Sequence, residues 1–186
     1  MSQAPPQGRP FVDPRIGAFA LFALAVAAAT FSALLSPAPD YARAANSIWP
    51  CIALGGWAVA RALNRCPDAF DGLWRVLWTL GFLAYLIHLW FALGGVFQWS
   101  LGAVFDVQGT VVTAANLALA ALWGVSVAAA WLGIRATWLH IAAKTLFAAT
   151  TVVASIPFAR DMASLAGGLL VVAVWIGALA LRRQRA

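Results

Sequence analysis

The sequence predicts an all-α integral membrane protein: a bundle of six transmembrane helices with both termini cytoplasmic. Three observations carry this expectation. The 186 residues are 63% hydrophobic and only 10% charged, with a mean hydropathy of +0.86. Soluble domains have roughly 45–50% apolar and about 25% charged residues. The apolar residues gather into six runs near the roughly 20 residues that a hydrocarbon core needs. The basic residues gather in alternate gaps between those runs, as the positive-inside rule requires.

The first run is 16–36. Asp13 and Pro14 form an N-cap and first-turn pair before it, and Ser36-Pro37-Ala38-Pro39 ends it. A signal-peptide core over 16–35 is the competing reading, with Ala42-Arg43-Ala44 as a cleavage site. The run is longer than an ordinary signal core, so it is read as a membrane helix. The second run is 46–63, closed by the polar stretch Arg61 to Asp71. The third is 74–97. Gln98 to Gly109 then forms an outer loop whose Asp106, Gln98 and Gln108 are read as solvated rather than catalytic. The fourth run, 110–132, meets the fifth, 137–157, through a tight Gly133-Ile134-Arg135 hairpin. Pro157 to Asp161 turns the fifth into the sixth, 162–181. The domain divides into a cytoplasmic segment 1–15, the bundle 16–181 and a basic tail 182–186.

Charge orients the bundle. With the N-terminus inside, Arg9, Arg15, Arg61, Arg65, Arg75, Arg135, Arg182, Arg183 and Arg185 are cytoplasmic, and only Arg43 and Arg160 lie outside. The +6 net charge is then a topology signal with affinity for anionic lipid at the cytoplasmic leaflet, not a nucleic-acid footprint. High alanine and arginine usage with a single lysine reads as a bacterial inner-membrane composition. The two cysteines, Cys51 and Cys66, fall on opposite sides of the predicted membrane and form no disulfide framework.

Chemistry is sparse. No glutamate occurs, and the six aspartates all fall in predicted loops or termini. A proton pump ordinarily keeps a carboxylate inside the membrane. No hydrolase, metalloprotease, nucleotide-binding or zinc motif occurs. The fifth run holds the clearest polar stripe: Thr137, His140, Lys144, Thr151 and Ser155 at helical spacing. Lys144 is the chain's only lysine. It sits about 10–12 Å along its helix, within snorkelling reach of the inner headgroups. Arg135, His140, Lys144 and Thr151 are the candidate ligand or lipid-binding residues, arranged to receive a phosphate, a carboxylate or an anionic headgroup.

Tyr85 and His88 on the third run and Asn116 on the fourth form a second polar group. The expected arrangement is a His88–Asn116 hydrogen bond across the helices, with a cofactor contact as the alternative. Bis-histidine haem is disfavoured by depth: His140 lies about 5 Å into its helix and His88 about 20 Å into another. A retinal Schiff base on Lys144 lacks both the seventh helix and the buried counter-ion. Five tryptophans (Trp49, Trp74, Trp99, Trp131, Trp138) are placed near helix ends as interface anchors. Trp57, Trp90, Trp123 and Trp175 are placed deeper, as packing. Pairs of small residues such as Gly56/Ala60, Ser164/Gly168 and Ala173/Gly177 predict close helix contacts.

The function these readings favour is a non-catalytic subunit or accessory protein of a membrane complex. It would bind lipid and partner helices or form a homo-oligomer. The alternatives are a small transporter or channel using the stripe of the fifth helix, and a redox subunit carrying haem b or quinone.

Overall fold

A computed structural model describes residues 13–64, 72–157 and 161–184. Cys66, Arg160 and Asp68 therefore lie outside the described residues. What is described is all helical: α1 (Pro14–Ser32) with a 3-10 turn (Ala33–Leu35), α2 (Pro39–Asn64), α3 (Gly72–Trp90) continued by a π-helical turn (Phe91–Val96), α4 (Leu101–Trp131), α5 (Thr137–Ser155) and α6 (Met162–Arg183).

The helix starts follow local chemistry. The Asp13 carboxylate accepts from the Arg15 N–H at 2.9 Å, and Pro14 fills the first helical position, where its missing N–H costs nothing. Ser100 caps α4 through the Ala103 N–H, and Asp161 caps α6 through the Ser164 N–H at 2.7 Å. At Gly133 the backbone turns left-handed (φ 70°) and ends α4.

Four helical stretches are long and apolar enough to cross a membrane: Pro14–Leu35, Gly72–Val96, Leu101–Trp131 and Met162–Arg183. The other two helices are the polar ones. Helix α2 opens on Pro39-Asp40-Tyr41-Ala42-Arg43 and carries Asn46, Ser47 and Pro50; α5 carries His140, Lys144 and four threonines. These two are sheltered by their neighbours. Helix α2 packs against α1, α3, α5, α6 and the π turn, and buries eleven residues, among them Ser47, Pro50, Cys51 and Leu54.

Three boundaries differ from expectation. Helix α2 starts at Pro39, seven residues early, because proline and Asp40 make a good first turn that hydropathy does not register. Helix α3 unwinds into the wider π turn. Beyond it Gln98 and Trp99 adopt positive φ (49° and 60°) without being glycine. That strain, on the order of 1–3 kcal/mol per residue, is offset by fixed contacts. The Trp99 N–H donates to the Leu93 carbonyl at 2.7 Å, the Gln98 amide donates to the Gly95 carbonyl, and the Trp99 ring meets Trp90 at 4.8 Å. The outer loop then contains a short helix over 101–108, broken from the rest of α4 at Gly109 (φ 77°, ψ 161°). Asp40 and Asp106 thus sit in helices, at the same end of the molecule as Asp161.

Helix ends sort into two sets. Arg15 lies against Gly72, joining the starts of α1 and α3. The Arg75 guanidinium stands 5.3 Å over the Trp131 ring, joining the start of α3 to the end of α4. Arg61, Arg135, Arg182 and Arg183 complete this arginine end. The opposite, acidic end holds Asp40, Asp106 and Asp161, and Arg43 is its one cation among the described residues.

The core forms where α2 and α3 touch. A Cβ on Gly81 would fall 2.8 Å from the Gly55 backbone nitrogen, and a Cβ on Gly55 would strike the Phe147 ring at 2.7 Å. Only glycine allows that approach. Of the small-residue pairs, Gly56/Ala60 and Ser164/Gly168 are buried, whereas Gly177 has open space beside it.

Candidate functional site

A fully buried polar cluster lies in the arginine-end half of the core. Trp78 on α3, Ser126 on α4 and His140 on α5 are each no more than 1% exposed. The Trp78 indole N–H donates to the Ser126 hydroxyl at 3.1 Å, and the same hydroxyl lies 2.8 Å from His140 Nδ1. An indole can only donate. The Ser126 hydroxyl therefore accepts from Trp78 and is free to donate its own proton in a hydrogen bond to His140 Nδ1. Trp123 adds a fourth tie, donating to the Trp78 carbonyl at 3.2 Å.

Rings extend this node through the bundle. Trp74 meets His140 edge-on at 5.8 Å and stacks on Trp78 at 5.8 Å. Trp78 meets Trp123 at 4.6 Å, Trp123 meets Tyr85 at 5.8 Å, and Tyr85 meets His88 at 6.2 Å. Phe147 packs edge-on against both Trp78 and Trp123. Phe147 also bridges to Trp175, whose N–H donates to the Gly56 carbonyl at 2.9 Å. Such contacts add roughly 0.5–1.5 kcal/mol per pair beyond the area they bury.

A serine hydrogen-bonded to a histidine has the outline of a nucleophile and its base. Here it cannot act as one. Ser126 is fully buried, its oxygen is already committed to the Trp78 indole, and the surrounding rings leave no approach for a substrate.

The first set of sequence-predicted residues does not converge on one pocket. His140, Thr151 and Ser155 lie on the buried face of α5, alongside Ala143 and Phe147. Lys144 sits half-buried at the flank of that face, one turn from His140, while Thr137 and Arg135 are exposed. The Thr151 carbonyl accepts from the Ser155 hydroxyl. The stripe is thus only partly inward: His140, Thr151 and Ser155 pack, and Arg135, just before the helix, is exposed.

The second set comes together differently from the expected His88–Asn116 bond. His88 Nδ1 lies 2.8 Å from the Ala44 carbonyl of α2, so it donates there rather than to α4. Tyr85 takes the α3–α4 contact, its hydroxyl donating to the Asn116 backbone carbonyl at 3.0 Å. The Asn116 amide reaches back to Gln108 at 3.4 Å. Helix α2 is closer to His88 than sequence order implies, because the glycine contact draws α2 and α3 together. The two histidines stand at opposite ends of the ring series, with four aromatic side chains between them, so they do not face each other across a slot for one haem.

Trp78 and Ser126 are the residues that sequence reading missed, and Trp74 was misplaced. Trp74 is buried, not an interface anchor. The available signal was its spacing: Trp74, Trp78, Gly81 and Tyr85 recur at steps of three and four and define one face of α3. Trp57 and Trp90, expected to fill grooves between helices, are instead exposed on the surface of the bundle. No cluster of three or more histidine, cysteine or acidic side chains suited to a metal occurs among the described residues. Comparison with protein-family models, curated proteins and solved structures finds no match to this chain.

Proposed function

We propose that this chain is a six-span protein of a bacterial inner membrane, with its arginine end in the cytoplasm. We further propose that it acts as a non-catalytic subunit or accessory protein, binding lipid and partner helices on its outer faces. The observation that carries the reading is the filled interior. Trp74, Trp78, Trp123, Phe147 and Leu54 are all nearly fully buried at the centre of the bundle. A path for solute requires a polar or wet lining, and these rings occupy the place where it would run.

Connectivity supports six crossings rather than four. Helices α1 and α3 start at the same end, so if both cross, α2 must return between them. Helix α4 ends at the arginine end and α6 starts at the acidic end, so α5 must cross as well. Several of their polar groups, Ser47, His140, Thr151 and Ser155, are buried against protein, where a polar side chain can be satisfied. The arginine end is suited to the anionic cytoplasmic leaflet, where each basic side chain near the surface is worth about 1 kcal/mol.

Five measurements test this. Cysteines introduced at Val107 and at Gly133 should label from opposite sides of sealed membranes; labelling from the same side overturns the topology. Vesicles containing the purified protein should leak no faster than empty ones. Solute flux abolished by Lys144→Met would replace this reading with the transporter alternative. A Soret band in the purified protein would replace it with the haem-carrying one. Gentle purification followed by mass spectrometry should recover a partner membrane subunit.

A further inference from the structure

We propose that the groove between α1 and α2 in the acidic-end half binds one phospholipid, its acyl chain between the helices and its phosphate at Arg43. The proposal rests on the membrane reading above. The groove has a volume of about 520 Å³. Its floor on the α1 side is Ala25, Ala28 and Ala29, and on the α2 side Pro50 and Ala53, with Trp49 as one wall. These small side chains hold the two helices close yet leave a furrow about two turns long, or roughly 10 Å. In a bilayer no such furrow on the lipid-facing flank stays empty.

What selects a phospholipid is the order of chemistry along the groove. Going toward the acidic end, the alanine floor gives way to Ser32 and Asn46, where the Asn46 amide donates to the Ser32 hydroxyl at 3.0 Å. Pro50 has no N–H to offer the Asn46 carbonyl one turn earlier, which leaves a second polar group at that level. One turn further, on the same face of α2, stands Arg43, half-buried and held by Asp40 at 2.9 Å. Positions 43, 46, 49/50 and 53 follow helical spacing. Charge, neutral polar group and apolar slot thus succeed one another as phosphate, ester and acyl chain do in a phospholipid. Arg43 is the only cation of its end among the described residues, and every other described charge there is an aspartate. A guanidinium has five N–H donors, so Arg43 can keep Asp40 and still meet a phosphate. The second apolar groove, on the α1–α3 side and lined by Phe22, Leu83, Leu86 and Trp90, shows no such polar succession. It serves as the internal comparison.

The test uses full-length protein in vesicles of phosphatidylethanolamine and phosphatidylglycerol. They are doped with a phosphatidylethanolamine carrying a diazirine on its acyl chain, and labelled peptides are mapped by mass spectrometry after illumination. Resistance of the protein to alkaline extraction checks membrane insertion separately. If it is extracted, the membrane reading itself has failed. With insertion intact, label should concentrate on 25–29 and 49–53. Ala28→Leu should cut that label at least fivefold while label near Leu86 is unchanged. Arg43→Gln should cut it several-fold with the phospholipid probe but not with a diazirine diacylglycerol, which has no phosphate. Label spread evenly over the exposed faces of α1 and α6 overturns the proposal. So does an α1–α1 cross-link between copies in place of lipid label. Equal loss with both probes in Arg43→Gln overturns the phosphate assignment.

Discussion

The two halves of this bundle handle polar groups in opposite ways. In the arginine-end half, His140 is sealed beneath Trp74 and tied through Ser126 to Trp78, so that three helices are locked by one hydroxyl. In the acidic-end half, His88 is only half-buried and reaches the Ala44 backbone carbonyl, while α1 buries few residues and is flanked by a groove on either side. Helix α1 buries only Ala18 and Ala29, against eleven residues for α2. The contrast teaches that histidine alone says little about function in a helical bundle. What matters is whether neighbouring helices come close enough to enclose it, and here glycine decides that.

Several substitutions break or sharpen this contrast. The largest effect is expected at Gly81. A side chain there meets the Gly55 backbone rather than a movable side-chain tip. Gly81→Leu should therefore exceed the roughly 1–3 kcal/mol of ordinary overpacking and give no monodisperse protein in detergent. A normal size-exclusion profile would show that α2 and α3 can part without loss of the fold.

Next comes Trp123→Ala, which removes the ring joining Trp78, Tyr85, Phe82 and Phe147. Large-to-small aromatic changes in cores cost about 3–5 kcal/mol, read as a lowered thermal midpoint in detergent. Ser126→Ala should cost about 1–2 kcal/mol, because it takes a partner from both Trp78 and His140, and single interhelical bonds in membranes average about 0.6 kcal/mol. Its effect and that of His140→Phe should be non-additive in a double-mutant cycle. Additivity would mean that the two side chains do not act as one unit. His88→Phe, at the open end, loses the tie to the Ala44 carbonyl and should cost less than about 1 kcal/mol. Smallest of all, Trp138→Leu on the exposed face of α5 should change stability by no more than about 0.5 kcal/mol.

Much of the architecture was legible because apolar runs, turns and helix starts are set by residues close together in the chain. The cap at Asp13, the Gly133 turn and the sorting of arginines follow from local chemistry and from hydropathy; Asp161 was read only as part of a turn, and its role as the cap of α6 came from the structure. The polar stripe of α5 was legible as a periodicity, but not which of its members face inward. His140, Thr151 and Ser155 pack, while Lys144 stays at the flank, because the buried arc of α5 is centred on Ala143 and Phe147. The start of α2 at Pro39 was not legible from apolarity, since its first turn is held by proline and Asp40 rather than by hydrophobic residues.

The sequence by itself determined that the chain is helical, strongly apolar and charged asymmetrically at its two ends, since those properties depend on composition and on neighbours a few residues apart. Only the tertiary structure decided that Ser126 joins Trp78 to His140, that His88 turns to α2 rather than α4, and that a groove with a polar head flanks α1. Each of these depends on how closely two helices approach. That distance is set by small residues such as Gly55 and Gly81, far apart in the chain, whose pairing no local pattern records.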